Sequence, residues 1–487
     1  MTQGYRSLRL RPAAAATLAA LALASATLPA AGQGTPATPG VTAPAEDSRA
    51  AAAQSALQAQ AAGVTEDLLT IWRDALANDA SFASARYQAQ ANLEKMPQAR
   101  AALLPQLGLS ASANQSLTDL DYPEIFGGGQ ESYRSYNGSL SLVAPIYRPQ
   151  NWETYEQSKL FIFQSDTQLA ATRQDLILRS ATAYFNVLGA RDQLIYLEAA
   201  KKATLEQLAQ AKREFEVGTK TIIDTNEAQA RYDQINAQEQ VALGQLLVAR
   251  SQLQSLIGRE PGGLAPLRDR PNLPGPQPAE LTPWVKSAED SNFSVQVARA
   301  GTEIASRELQ KAKDGHKPTL DFVAGYSGSR TDGRGAAQLA TSTFNGRGSS
   351  FGVQFNLPIY SGGLTQSRVR ETLSLDDKAR ADLEAARRAA ANLARDAFTG
   401  VSYGLSQVSA LESAEVSAKT QLESTQLGYQ VGVRILLDVL NATTQLYATQ
   451  RDLKQARYNV LLSGLRLKAT TASLADTDLA AVNTLLK

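Results

Sequence analysis

The sequence predicts an α+β membrane protein assembled from two copies of one unit, strand–strand–helical hairpin. Three observations predict it. The chain repeats its landmarks at a near-constant offset, short segments alternate apolar and polar residues, and long proline-free runs carry heptad spacing between those segments.

The repeat comes first because internal duplication decides a fold reading. One half holds Leu104-Pro105-Gln106-Leu107, Ala144-Pro145-Ile146-Tyr147, and Val217-Gly218-Thr219 followed by Asp224. The other half holds Lys317-Pro318-Thr319-Leu320, Leu357-Pro358-Ile359-Tyr360, and Val431-Gly432-Val433 followed by Asp438. Both pairs of prolines are 213 residues apart, and the glycines and the aspartates are 214 apart. The units are placed at residues 65–275 and 276–487.

Ahead of them, Arg6, Arg9 and Arg11 precede an apolar stretch from Ala13 to Leu28, closed by Pro29 and followed by small residues. That is the pattern of a secretory signal, placed at 1–31. Residues 32–64 are rich in Ala, Pro, Gly, Thr and Gln and predict a flexible leader. No later stretch has the roughly 18 apolar residues of a membrane helix. An exported chain still has the β-barrel as a route into a membrane.

Each unit contains two strand candidates with one apolar and one polar face. They are placed at about 106–117 and 136–146, then at about 319–328 and 350–359. Leu107, Leu109, Ala111 and Ala113 alternate with Gly108, Ser110 and Ser112, and Phe351, Val353 and Phe355 alternate with Gly352 and Gln354. The segments Leu120–Arg134 and Thr331–Gly348 are Gly-, Ser- and charge-rich and read as loops. A soluble sandwich shows the same alternation, but here only helix lies between the strand pairs.

Trp152 to Phe215 has no proline and one glycine, and Ile162, Leu169, Leu176, Ala183, Ala190 and Leu197 recur every seven residues. Such a repeat predicts a left-handed coiled coil. A helix of about 60 residues is roughly 90 Å long. Gln366–Gln430 is similar. Each run meets a Val-Gly break, at 217–220 and 431–434, before a second helix at Asp224–Ile257 or Asp438–Ala469. Glycine just past a helix end takes the left-handed cap cheaply, so each pair is an antiparallel hairpin.

Composition excludes several functions. Among 487 residues there is no cysteine and one histidine, His316, so thiolate chemistry and multi-histidine metal sites are out. No catalytic constellation, cofactor or metal site is expected. The 48 basic and 47 acidic residues are interspersed, and aromatics are 6%, which leaves no footprint for nucleic acid. Gly127-Gly128-Gly129 follows no buried strand and opens no helix, so it is an external loop and no phosphate cradle.

Four strands cannot close a barrel, and an open edge in lipid leaves N–H and C=O groups unpaired. The chain must therefore oligomerise, to 8, 12 or 16 strands for two, three or four copies. The small polar strand faces suit a wet lumen, which larger barrels leave open. Long helices running on from the strands extend that wall away from the membrane.

These features resemble the TolC family of outer-membrane factors, from about Thr65 to Lys487. The likeness is carried by Leu104-Pro105-Gln106-Leu107, by Phe215-Glu216-Val217-Gly218, and by Gly428-Tyr429-Gln430-Val431-Gly432 continuing to Asp438-Val439-Leu440-Asn441. The resemblance implies a homotrimer with a 12-stranded barrel in outer-membrane lipid, continued by a periplasmic helical tunnel. It implies a Gram-negative outer-membrane location, and passage of small toxic compounds or secreted proteins in efflux or type I secretion. It further implies a periplasmic adaptor and an inner-membrane transporter as partners, with the turns Val217-Gly218-Thr219 and Val431-Gly432-Val433 meeting the adaptor.

Residue by residue, Asp438 matches the constriction aspartate, and Asn441 stands where the family's type member has a second aspartate. Tyr429 and Arg434 match residues that tie the inner hairpin to the outer one, with Asp224 as their acidic partner. Ile223 replaces a threonine there, so the resemblance implies a weaker lock. Apart from the family, Asp224 and Asp438 also read as helix N-terminal acids, and a threefold carboxylate ring selects cations. The alternative readings are a periplasmic adaptor, which would carry one hairpin, and a coiled-coil structural protein.

Overall fold

The structure, a computed structural model, describes residues 65–120, 129–219, 221–334 and 341–487. The expected signal and leader, residues 121–128 and 335–340 of the expected loops, and Lys220 lie outside the described residues.

A short strand β1 (Thr65–Glu66) leads to helices α1 (Leu68–Asn78), α2 (Ala80–Leu93) and α3 (Lys95–Ala101). Strands β2 (Gln106–Leu120) and β3 (Gly129–Tyr147) follow. The hairpin α4 (Pro149–Glu216) and α5 (Ile222–Ile257) completes the first unit. A connector containing β4 (Gly263–Leu264) pairs with β1 and reaches α6 (Leu281–Ser291) and α7 (Phe293–Lys313). The second unit runs β5 (Thr319–Arg334), β6 (Thr341–Asn356), α8 (Leu364–Gln430), α9 (Leu436–Thr470) and a closing helix α10 (Asp476–Asn483).

The long strands form one antiparallel sheet in the order β2–β3–β5–β6. Its register aligns chemistry across all four. Leu107 faces Leu142, which faces Ala324, which faces Phe351. One residue along, Gly108, Ser141, Gly325 and Ser350 form the opposite face. Ser110 and Ser139 bond across that polar face at 2.7 Å.

The strands outrun their alternation. The segments read as loops are largely ladder, because backbone pairing does not require an apolar side chain. Asp332 on β5 is satisfied by Arg330 at 3.0 Å and by Thr343 of β6 at 2.9 Å. At its other end β6 stops at Asn356 rather than at residue 359, since Pro358 has no N–H to give a ladder.

The helical wall keeps the order of the sheet. Helix α3 enters β2, β3 feeds α4, α7 enters β5 and β6 feeds α8. Packing runs α3 on α4, α4 on α7, and α7 on α8. Further from the sheet the order is α5 on α4, α4 on α9, and α9 on α8. At 1.5 Å per residue, the 68 residues of α4 span roughly 100 Å.

The expected heptad seam is only partly the buried one. Leu176 is fully buried, but Ile162, Leu169, Ala183, Ala190 and Leu197 are half-buried. The deepest run is Leu176, Ile177, Ala181, Tyr184, Phe185 and Leu188. The reason is that α4 is packed on several sides, so one stripe cannot describe it. Tyr184 meets Phe185 edge-on at 5.6 Å, and Phe185 stacks on Tyr458 of α9 at 5.4 Å. Among the described residues no helix is long and apolar enough to cross a membrane.

Candidate functional site

The end of the hairpins far from the sheet collects every candidate residue. Both turns close by the same pattern. Gly218 N–H donates to Phe215 and Thr219 N–H to Glu214; Gly432 N–H donates to Tyr429 and Val433 N–H to Gly428. This is the two-bond Schellman cap, with the glycines at φ +78° and +80°, where a Cβ is penalised. Val217, Val431 and Val433 are exposed, as are Ile223 and Ile435 beside them. The tip therefore presents a cluster of aliphatic side chains to its surroundings.

Behind the turns the two hairpins share a small core of Leu208, Ala211, Ala228, Tyr429, Leu436, Val439 and Leu440. Polar links flank it. The Tyr429 hydroxyl donates to Glu214 Oε2 at 2.6 Å. Burial, reinforced by that carboxylate, pushes the tyrosine well above its ordinary pKa, so it stays a donor. Arg231 Nη2 on α5 donates to Asn441 Oδ1 on α9 at 2.7 Å. Gln207 Nε2 on α4 donates to Thr443 Oγ1 at 3.2 Å.

Arg434 and Asp438 line a cleft of about 460 Å³ with Gln421, Ser424, Thr425 and Asn441. Here the structure departs from expectation. No Asp224–Arg434 pair forms within this protomer. Arg434 Nη1 lies 3.7 Å from Asp438 Oδ2, one turn along the same helix. A Cβ on Gly428 would come 2.8 Å from Arg434 Cγ, so that glycine is what lets the arginine stem lie down against α8. Asp224 is engaged locally at the start of α5, accepting from Thr221 N–H at 3.4 Å and Thr221 Oγ1 at 3.3 Å. The acid bonded to Tyr429 is Glu214.

Glu214, Arg231 and the Gln207–Thr443 pair were not singled out in the sequence. Glu214 gives a partial signal, because it lies four residues before Gly218, where the second copy has Gly428. Nothing in the spacing marks Arg231.

The outer membrane efflux protein family model matches residues 71–259 and 284–473. Outer membrane protein TolC of Escherichia coli is 35% identical over 86% of this chain and 85% of its own length. The alkaline protease secretion protein AprF of Pseudomonas aeruginosa is 30% identical over 85% of each. Among solved structures, the Campylobacter jejuni CmeC outer membrane channel superposes with a TM-score of 0.71 at 16% identity, covering 87% of this chain and 90% of that one.

Proposed function

The chain belongs to the outer membrane efflux protein family, and we propose that three copies join edge to edge into one continuous tube with a gate at the hairpin tips. The protein is an outer-membrane channel for efflux and type I secretion. It contributes a passage, and its family is one of channels rather than enzymes.

The observation that carries the trimeric reading is the shared order of sheet and helices. The sheet ends on unpaired β2 and β6, and the helical layer ends on α3 and α5 at one side and α8 at the other. Each open strand edge thus continues into an open helix edge. Pairing β6 of one copy with β2 of the next, and α8 with its neighbour's α5, uses the same head-to-tail contact throughout, and such a contact makes a ring when it closes. Three copies give 12 strands and leave a lumen. Exposed Leu393, Tyr403 and Val416 on α8 and Val241, Leu247 and Val248 on α5 supply apolar surface for that contact.

In that ring Asp438 and Asn441 line the constriction, and the Tyr429–Glu214 and Arg231–Asn441 bonds hold the inner hairpin against the outer one. The exposed aliphatic turns at Gly218 and Gly432 serve as the surface for a periplasmic adaptor, which links the tube to an inner-membrane transporter. Planar-bilayer recording of the purified trimer tests this reading. Discrete conductance steps, cation-selective in wild type and less so in Asp438→Ala, are expected. A water-soluble monomer without conductance would overturn it.

A further inference from the structure

The sheet register allows the apolar face to be followed from strand to strand. Away from the helices, its last apolar residue is Leu117 on β2, Tyr136 on β3, Tyr326 on β5 and Phe351 on β6. This boundary descends the ladder. Leu117 pairs with Ser132, four residues past Tyr136; Tyr136 pairs with Arg330, four past Tyr326; Tyr326 pairs with Ser349, two past Phe351. On strands about 4.8 Å apart and tilted by roughly 35–45°, a level line around a barrel steps by about one residue per strand, so this apolar boundary slopes from Leu117 down to Phe351. The helical end descends likewise: β2 begins opposite Val143, whereas β3 continues to Tyr147.

Immediately beyond the boundary, three strands place an arginine on the same face. Arg134 is the next residue on that face after Tyr136. Arg330 lies two such positions after Tyr326, and Arg347 two after Phe351. They step by only two residues per strand, nearer to that level line than the boundary is, since Arg134 pairs with Asp332 and Arg330 with Asn345. All three are exposed. Asp332 shares their face and pairs with Arg330 at 3.0 Å. From Phe355 to Arg347 is eight residues, about 27 Å of strand and roughly 20 Å of height at that tilt. That height compares with an apolar band of about 25 Å in outer-membrane barrels.

We propose that Arg134, Arg330 and Arg347 form a ring, repeated in each protomer, that binds the lipid A phosphates of lipopolysaccharide in the outer leaflet. This rests on the reading that the sheet lies in the outer membrane. The helices hang from the opposite end, so the arginine end faces outward. Guanidinium matches phosphate by paired N–H donors, and basic residues beside an apolar surface recognise anionic headgroups. The aromatic rim holds the acyl chains below while the arginines meet the phosphates at the same height.

Native mass spectrometry of the detergent-purified trimer tests it, with three probes: bisphosphorylated lipid A, the same lipid A dephosphorylated, and phosphatidylglycerol. Wild type should retain the bisphosphorylated form and neither of the others. Each basic residue at a membrane surface contributes about fivefold in affinity. The R134Q/R330Q/R347Q variant should therefore bind roughly a hundredfold more weakly, with recovery in the corresponding triple lysine variant. Bilayer conductance should stay at the wild-type value in both. Equal retention of phosphorylated and dephosphorylated lipid A by wild type overturns the proposal without any variant. So does phosphatidylglycerol binding as well as lipid A, or a conducting glutamine variant that keeps its lipid A. Absent conductance in wild type would strike the channel reading instead.

Discussion

Removing one hydroxyl at the tip should loosen the gate. Tyr429→Phe deletes the donor of a 2.6 Å bond to Glu214 while keeping the ring in the shared core. A hydrogen bond to a charged acceptor contributes about 1.5–3 kcal/mol. Glu214 is half-exposed and water replaces part of the loss, so the low end applies. Three protomers opening together then lose about 4.5 kcal/mol, which moves the closed-to-open ratio by a factor on the order of 10³. Single-channel recording in planar bilayers reads this directly, as higher conductance or longer open dwell times. Thr221→Ala is the control, because it removes only a local contact to Asp224. If Tyr429→Phe traces match wild type while Thr221→Ala or Asp224→Asn opens the channel, Glu214 is not the lock acid and the sequence expectation for Asp224 is the better one.

Asp438→Ala should lower cation selectivity and relieve block by multivalent cations applied at the tip, measured as reversal potential and blocking concentration. Arg231→Ala removes a bond of about 1 kcal/mol together with a positive charge beside Asn441; both conductance and cation selectivity should rise. Arg148 holds the buried carboxylate of Asp321 by two bonds of 2.7 Å at the strand-to-helix junction. Arg148→Ala should destabilise by roughly 3–5 kcal/mol and lower the temperature at which trimers dissociate on gels. Burial by itself would raise the Asp79 carboxyl, but donation from Arg179 and from the Phe82 N–H outweighs it and holds the group below 3.8. A depressed folded value means stability present above the unfolded pKa and lost as pH falls through the folded one. Hydrogen exchange of α2, corrected for intrinsic rate, should accelerate below about pH 4, and Asp79→Asn should flatten that dependence.

What the sequence made legible follows from which interactions are local. The four strand cores and both hairpin turns are written in period and glycine within one segment, and the duplication in the constant spacing between the two copies. The outer thirds of the strands were not legible. There the pairing is backbone to backbone, and residues such as Arg330, Asp332 and Thr343 give no apolar alternation even though they sit in register. The buried seam of α4 was misread for a related reason: a heptad describes one partner, and this helix packs on α5, α7 and α9. The Tyr429–Glu214 bond was least legible, since the two residues are 215 apart in sequence and lie on different hairpins.

The duplication itself explains why the lock could not be read by analogy between copies. With the offset of 214, Glu214 corresponds to Gly428, Phe215 to Tyr429, Glu227 to Asn441 and Arg231 to Gln445. The Tyr429–Glu214 link therefore joins positions whose counterparts could not make it. Phe215 has no hydroxyl to donate, and Gly428 has no carboxylate to receive one. Two identical hairpins would have interchangeable roles, and either could sit inward. Here only the second presents Tyr429 and Asn441, and only the first presents Glu214 and Arg231. The same glycine that deletes one acceptor also clears the space for Arg434 to lie beside Asp438. In the proposed ring, divergence at these few positions decides which hairpin bears the constriction. It leaves the turns, caps and helix lengths that build the wall nearly equal in both copies. Restoring symmetry is then the sharpest perturbation of the design. Gly428→Glu forces the Arg434 stem off α8 and sets a second carboxylate near Asp438, so it should change conductance more than Glu214→Gly, which only deletes the acceptor that Tyr429 uses.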